Sequence, residues 1–193
     1  MAATPQAPPL PNVLYATLSG PVDQPMVQRV FQGFSVAING GVTNIHVLFQ
    51  STGGVVGDGI ALYNYLKSVP IEVNIYNGGS VASIAVIAFL AGRQRYASAS
   101  ATFSIHRTYA NSALFTSSAT ANAARLRGIA QSLEIDDART LAIFRANLSL
   151  ADDSLDNYLT NEIPFDSNAA LQAGIITAIR EFSPPPGAKL FNI

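Results

Sequence analysis

The feature that most constrains the fold is a pattern met three times, in which a short apolar run closes on a glycine turn and gives way to residues at helical spacing. Val13 to Leu18 closes on Gly20-Pro21, and Val27, Val30 and Phe31 then follow helical spacing within Val22 to Phe34. Asn44 to Gln50 closes on Ser51-Thr52-Gly53-Gly54 and is followed by Ile60, Leu62, Tyr63 and Leu66. Ile71 to Tyr76 closes on Asn77-Gly78-Gly79 and leads to Ser83 to Leu90, a small and aliphatic stretch stopped by Gly92. Strands that alternate with helices build βαβ units, so the pattern predicts an α/β fold with a mostly parallel sheet and right-handed crossovers. Sites on such sheets form at the carboxyl ends of strands. Two places qualify, the turn at Ser51 to Gly54 and the turn at Asn77 to Ser83.

Further on, Ala121 to Leu150 spaces Leu126, Ile129, Leu133, Leu141, Phe144 and Leu148 by three or four, interrupted at Asp136-Asp137. So long a stretch predicts a helix that projects from the core. Seven of the 11 prolines lie at the two ends. The sequence therefore divides into a Pro-rich tail over 1–12, one domain over 13–182 and a second Pro-rich tail over 183–193, both tails expected as extended polyproline-type segments.

Composition narrows the function. With no Cys and two His, thiolate chemistry, disulfides and Cys-based zinc sites are excluded and a His-rich metal site has little to work with. A net charge of −1 with only two lysines, Lys67 and Lys189, offers no basic surface for nucleic acid. Neither lysine follows a phosphate-binding loop, so no ATP site of that form exists and no cofactor is implied. The amino terminus lacks a secretory pattern and the longest apolar run, Ile84 to Ala91, is short of the ~20 residues that span a bilayer, so cytoplasmic residence is the expectation. Charged residues make up 12% of the chain, against about 25% in typical domains. That shortage suggests surface covered by other subunits.

Ser83 opens the apolar helix after the second candidate turn, where a helix end favours a developing negative charge; its plain alternative is a capping serine. His106 ends the strand-like run Ala101 to His106 and is a candidate general base. His46 lies near the amino end of its strand, far from where a site would form, and is assigned a structural role.

These residues carry a resemblance. Phe49 to Leu66, FQSTGGVVGDGIALYNYL, resembles the INSPGG segment of the proteolytic subunit of ATP-dependent Clp protease. Gly78 to Gly92, GGSVASIAVIAFLAG, is similar to the segment around that family's nucleophile, and Thr102 to Thr108, TFSIHRT, to the strand around its catalytic histidine. The resemblance implies a Clp/crotonase-like spiral of ββα units with a projecting handle helix, placed at Gly128 to Leu148. It further implies a serine endopeptidase acting on peptides or unfolded proteins inside stacked rings of identical subunits, with a hexameric AAA+ unfoldase as a partner and no nucleic acid or membrane. Carried over by motif, Ser83 is the nucleophile, His106 the base, and the N–H groups of Gly54 and Ile84 the oxyanion hole. Glu162 falls on the family's triad aspartate, with Asp166 as the fallback. Two rivals stand beside this reading: a non-catalytic ring subunit, and an acyl-CoA enzyme of the crotonase type that uses two N–H groups without a serine nucleophile.

Overall fold

The computed structural model describes residues 12–110 and 123–193; residues 1–11 of the amino-terminal tail lie outside them. β1 (Val13–Ser19), α1 (Gln24–Asn39), β2 (Asn44–Ser51), α2 (Val56–Ser68), β3 (Glu72–Ala82) and α3 (Ile84–Phe89) follow in order. β4 (Gln94–Ala97), β5 (Thr102–Ser104), α4 (Ala123–Asn147), α5 (Asp152–Asn161), β6 (Phe165–Asp166), α6 (Ser167–Gln172), β7 (Ala178–Ile179) and β8 (Leu190–Asn192) complete the described residues. The sheet runs β6-β5-β3-β2-β1-β8, with β4 on β3 and β7 on β4. Every pairing is parallel except β5 with β6.

Period-two patterning sets the layers. Leu14, Ala16 and Leu18 of β1 and Ile45, Val47 and Phe49 of β2 are buried on one face, where α1 packs with Met26, Val30, Phe34 and Ala37. The first turn of α1 is fixed by Asp23, whose carboxylate accepts the Met26 N–H at 2.9 Å. All six residues of α3 are buried, as expected of a helix that is apolar all round. The opposite face of the sheet carries an aromatic cluster. Tyr15 stacks on His46 at 5.0 Å between centroids, Tyr76 lies 4.8 Å from Tyr96, and Phe182 packs edge-on against Tyr76 at 5.3 Å.

Three expectations are corrected. β3 does not end at Asn77-Gly78-Gly79 but runs through them to Ala82. The glycines let the strand change partners: it pairs with β4 up to Asn77 and with β5 from Ser80. Fully buried Asn77 stitches the change, donating from its side-chain amide to the Thr102 carbonyl at 2.9 Å and accepting the Gly79 N–H at 2.9 Å. Second, Asp136-Asp137 do not interrupt α4, which is helical over 25 residues. Asp136 pairs with Arg139 one turn on, and Asp137 is held by the Thr108 N–H, so both charges have partners outside the helix backbone.

Third, the carboxyl-terminal segment is not an extended tail to its end. β8 adds to the free edge of β1, pairing Tyr15 with Leu190 through Thr17 with Asn192. A Cβ on Gly33 of α1 would come within 2.9 Å of Ile193 Cγ2, so the absence of a side chain there makes room for the chain end. The proline run at 184–186 masks, in the sequence, the apolar residues behind it that complete the sheet.

Candidate active site

The candidate nucleophile, Ser83, is placed by a sharp passage from strand to helix. Ser83 joins β3 to α3 with φ 59° and ψ −136°, a conformation costly for a residue with a Cβ, about 1–3 kcal/mol. The turn persists because its neighbours fix it: the Ser83 N–H donates to the Ser104 carbonyl at 2.8 Å, and its carbonyl accepts from Val86 at 3.0 Å. The hydroxyl does not cap α3. A plain capping serine would use it so; here, among the described residues, no hydrogen bond occupies it, as the exposed nucleophile of a strained strand-to-helix turn requires.

The glycine turn packs directly beneath. Gly53 has φ 97°, and a Cβ there would lie 2.5 Å from Ser83 Cβ and 3.0 Å from its Oγ. Gly54 is tighter still, since its Cβ would come 2.1 Å from the Val22 carbonyl oxygen. Val22 donates to Gly53 O at 2.9 Å and accepts from Val55 at 2.8 Å, clamping this side of the turn. Among the described residues neither the Gly54 N–H nor the Ile84 N–H meets a protein acceptor. Two free donors therefore flank Ser83, one on the glycine turn and one on the first residue of α3.

A cavity of about 480 Å³ opens there, lined by Gly53, Gly54, Ser83, Ile84, His106 and Tyr109, with Phe144 of α4 on its wall. It brings together four of the five site residues expected from the sequence. His106 stacks on Tyr109 at 4.9 Å, and its Nδ1 lies 2.7 Å from the Arg107 carbonyl oxygen. A carbonyl only accepts, so Nδ1 carries the proton and Nε2 keeps its lone pair in the neutral ring. That is the tautomer a general base needs. The Ser83 hydroxyl and the His106 ring share the cavity without a hydrogen bond between them, a looseness common before substrate binds.

The fifth residue, Glu162, stands apart from the cavity lining. It is the exposed left-handed residue that ends α5, with φ 51°. Asp166 caps α6, its carboxylate accepting the Ala169 N–H at 2.7 Å. Among the described residues no carboxylate is hydrogen-bonded to His106. Sequence reasoning also missed a group of charges beside the candidate base: Arg107 pairs with Asp156 of α5 and with Asp137 of α4, the latter at 3.7 Å. Nothing at separations of thirty and forty-nine residues announces such pairs.

His46 lies on the aromatic face. Its Nδ1 is 2.9 Å from the Tyr76 hydroxyl, and burial, then the Arg180 charge, push its pKa below the ordinary value, with Glu72 opposing.

The sequence model for Clp protease matches residues 12–182. The chain belongs to the Clp protease family. A solved structure of a point mutant of ClpP1 from Listeria monocytogenes superposes on this member with a TM-score of 0.74 over 89% of this chain and 92% of that one, at 16% identity. The Clp/crotonase-like fold is thereby shown, and the family supports a peptidase function. No curated protein sequence matches the chain. Among the described residues no helix is long and apolar enough to cross a membrane.

Proposed function

We propose that this Clp protease family member is a serine endopeptidase hydrolysing peptides or unfolded proteins. The observation that carries the proposal is the strained Ser83 with its uncapped hydroxyl, facing a cavity shared with His106 and flanked by the unbonded N–H groups of Gly54 and Ile84.

The chemistry follows in two acyl transfers. His106 Nε2 takes the Ser83 proton as Oγ bonds to the scissile carbonyl carbon, and the Gly54 and Ile84 N–H groups hold the oxyanion. The imidazolium then returns that proton to the leaving amine as the C–N bond breaks. Water repeats the sequence on the acyl-enzyme and frees Ser83. A third group must orient the base and stabilise the imidazolium. Glu162 is proposed for the charge-stabilising part from its motif position; the Leu159 carbonyl, one turn earlier in α5, accepts the Arg107 N–H at 3.3 Å, so this end of α5 borders the His106 segment. Asp166 is the weaker candidate because its carboxylate is committed to a helix cap.

Assembly into rings, with a hexameric AAA+ unfoldase feeding substrate, belongs to the same proposal. In α4 only Phe144 is buried, while Leu126 and Ile135 are 45% and 53% exposed. An apolar surface on a long helix suits contact with further copies of the chain. Sedimentation at micromolar concentration tests it: a multiple of 20.3 kDa supports rings, and a lone 20.3 kDa species opposes them.

One observation favours a second reading, a non-catalytic ring subunit: among the described residues no carboxylate is hydrogen-bonded to His106. Peptide cleavage by the purified protein, lost in Ser83→Ala, decides for the enzyme; no cleavage by the assembled protein decides for the subunit.

A further inference from the structure

The segment that carries His106 is tied down residue by residue to two different helices. The His106 ring donates Nδ1–H to the Arg107 carbonyl at 2.7 Å. Arg107 itself donates its N–H to Leu159 O of α5 at 3.3 Å, and its guanidinium reaches Asp156 of α5 and Asp137 of α4. The next residue, Thr108, donates its N–H to Asp137 Oδ1 at 2.6 Å. One surface ion pair would hold little; here four contacts on consecutive residues converge, and Asp137 serves two of them.

We propose that Arg107 is a positioning residue for the catalytic base. Its carbonyl holds the Nδ1–H tautomer of His106, and its guanidinium, bracketed by Asp137 and Asp156, keeps that carbonyl in place. The inference rests on the reading of His106 as base. It divides the usual third role in two. A carbonyl fixes tautomer and orientation but has no net charge with which to stabilise an imidazolium, so orientation falls to Arg107 and charge stabilisation to Glu162. It also gives α4 and α5 a hold on the active site that runs through the backbone next to the base.

The consequence is a loss in turnover rather than in binding, since misplacing a catalytic group by about 1 Å can cost on the order of 100-fold. In the full-length protein Arg107→Met should lower kcat about 10- to 100-fold with KM held within about twofold. Arg107→Lys, which keeps a cation between the two carboxylates, should recover part of the loss. Nitrogen chemical shifts of the His106 ring give a readout that mere stability would not move: Nδ1-protonated in the parent, and mixed with the Nε2–H form in Arg107→Met and in Asp137→Asn. The inference is overturned if Arg107→Met keeps kcat within about twofold of the parent, or if the ring stays wholly Nδ1-protonated in both variants. Ser83→Ala separates the two levels: cleavage that survives it removes the peptidase reading, whereas cleavage abolished by it leaves the Arg107 results to judge the positioning role alone.

Discussion

His46 stands within β2, with Tyr15 stacked on it, the Tyr76 hydroxyl on its Nδ1 and Arg180 nearby. His106 stands just beyond β5, on the wall of a cavity, with a backbone carbonyl on its Nδ1 and, among the described residues, no hydrogen-bond partner on Nε2. Both rings are only partly buried, so exposure does not tell them apart. What differs is the use of the ring nitrogens and the space beside them. At His46 the neighbours are aromatic rings that fill the room a substrate would need. At His106 a serine in a strained turn and two unbonded N–H groups surround open volume. A histidine becomes a candidate base through what its free nitrogen faces.

The difference can be broken in several ways. The largest expected effect comes from His106→Ala, which removes the only proposed acceptor for the Ser83 proton and should lower kcat by about 10⁴-fold or more; the equivalent change at His46 should leave turnover within about threefold. A progress curve on a fluorogenic peptide reads both. Next comes Gly54→Ala. The new Cβ would press on the Val22 carbonyl from 2.1 Å, the turn must shift, and the loss of one oxyanion donor should cost about 10²- to 10³-fold in kcat. A variant that folds and keeps full kcat would separate this N–H from the oxyanion hole.

Glu162→Gln ranks third. If its charge stabilises the imidazolium while Arg107 keeps the ring oriented, kcat should fall about 10²-fold with little change in KM; full activity would hand the role to another group. The smallest effect concerns His46 and pH. Its folded pKa lies below the ordinary 6.5, so the unfolded chain binds the proton more readily. Its contribution to stability is then present above pH 6.5 and is lost as pH falls through the lowered folded value. His46→Phe should therefore flatten part of the decline in Tm between neutral and mildly acid pH, at a cost of about 1 kcal/mol for the lost Tyr76 hydrogen bond. An unchanged pH slope would remove His46 as its source.

The two regions also differ in how well they could be read from the chain. The glycine turn, the strand before it and the buried helix after Ser83 are local, and each is encoded by periodicity and by residues that only one backbone geometry accepts. Gly53 and Gly54 are needed because Ser83 and Val22 crowd them. What escaped the sequence is non-local. β3 passes through Asn77-Gly78-Gly79 because Asn77 bonds to Thr102, a partner 25 residues on. The β8 strand forms because β1 offers a free edge, which nothing near Leu190 can signal. The bracket on Arg107 depends on Asp137 and Asp156 arriving from two helices. Of the two aspartates that looked like a break in the long helix, Asp137 turns out to be part of that bracket.

An activated nucleophile at Ser83 should be open to covalent capture. Treatment with a fluorophosphonate, followed by peptide mapping, should place the label on Ser83 and abolish peptide cleavage in proportion to labelling, with no label taken up by Ser83→Ala or His106→Ala. Peptide cleavage that persists in a fully labelled protein, or in Ser83→Ala, would contradict the account.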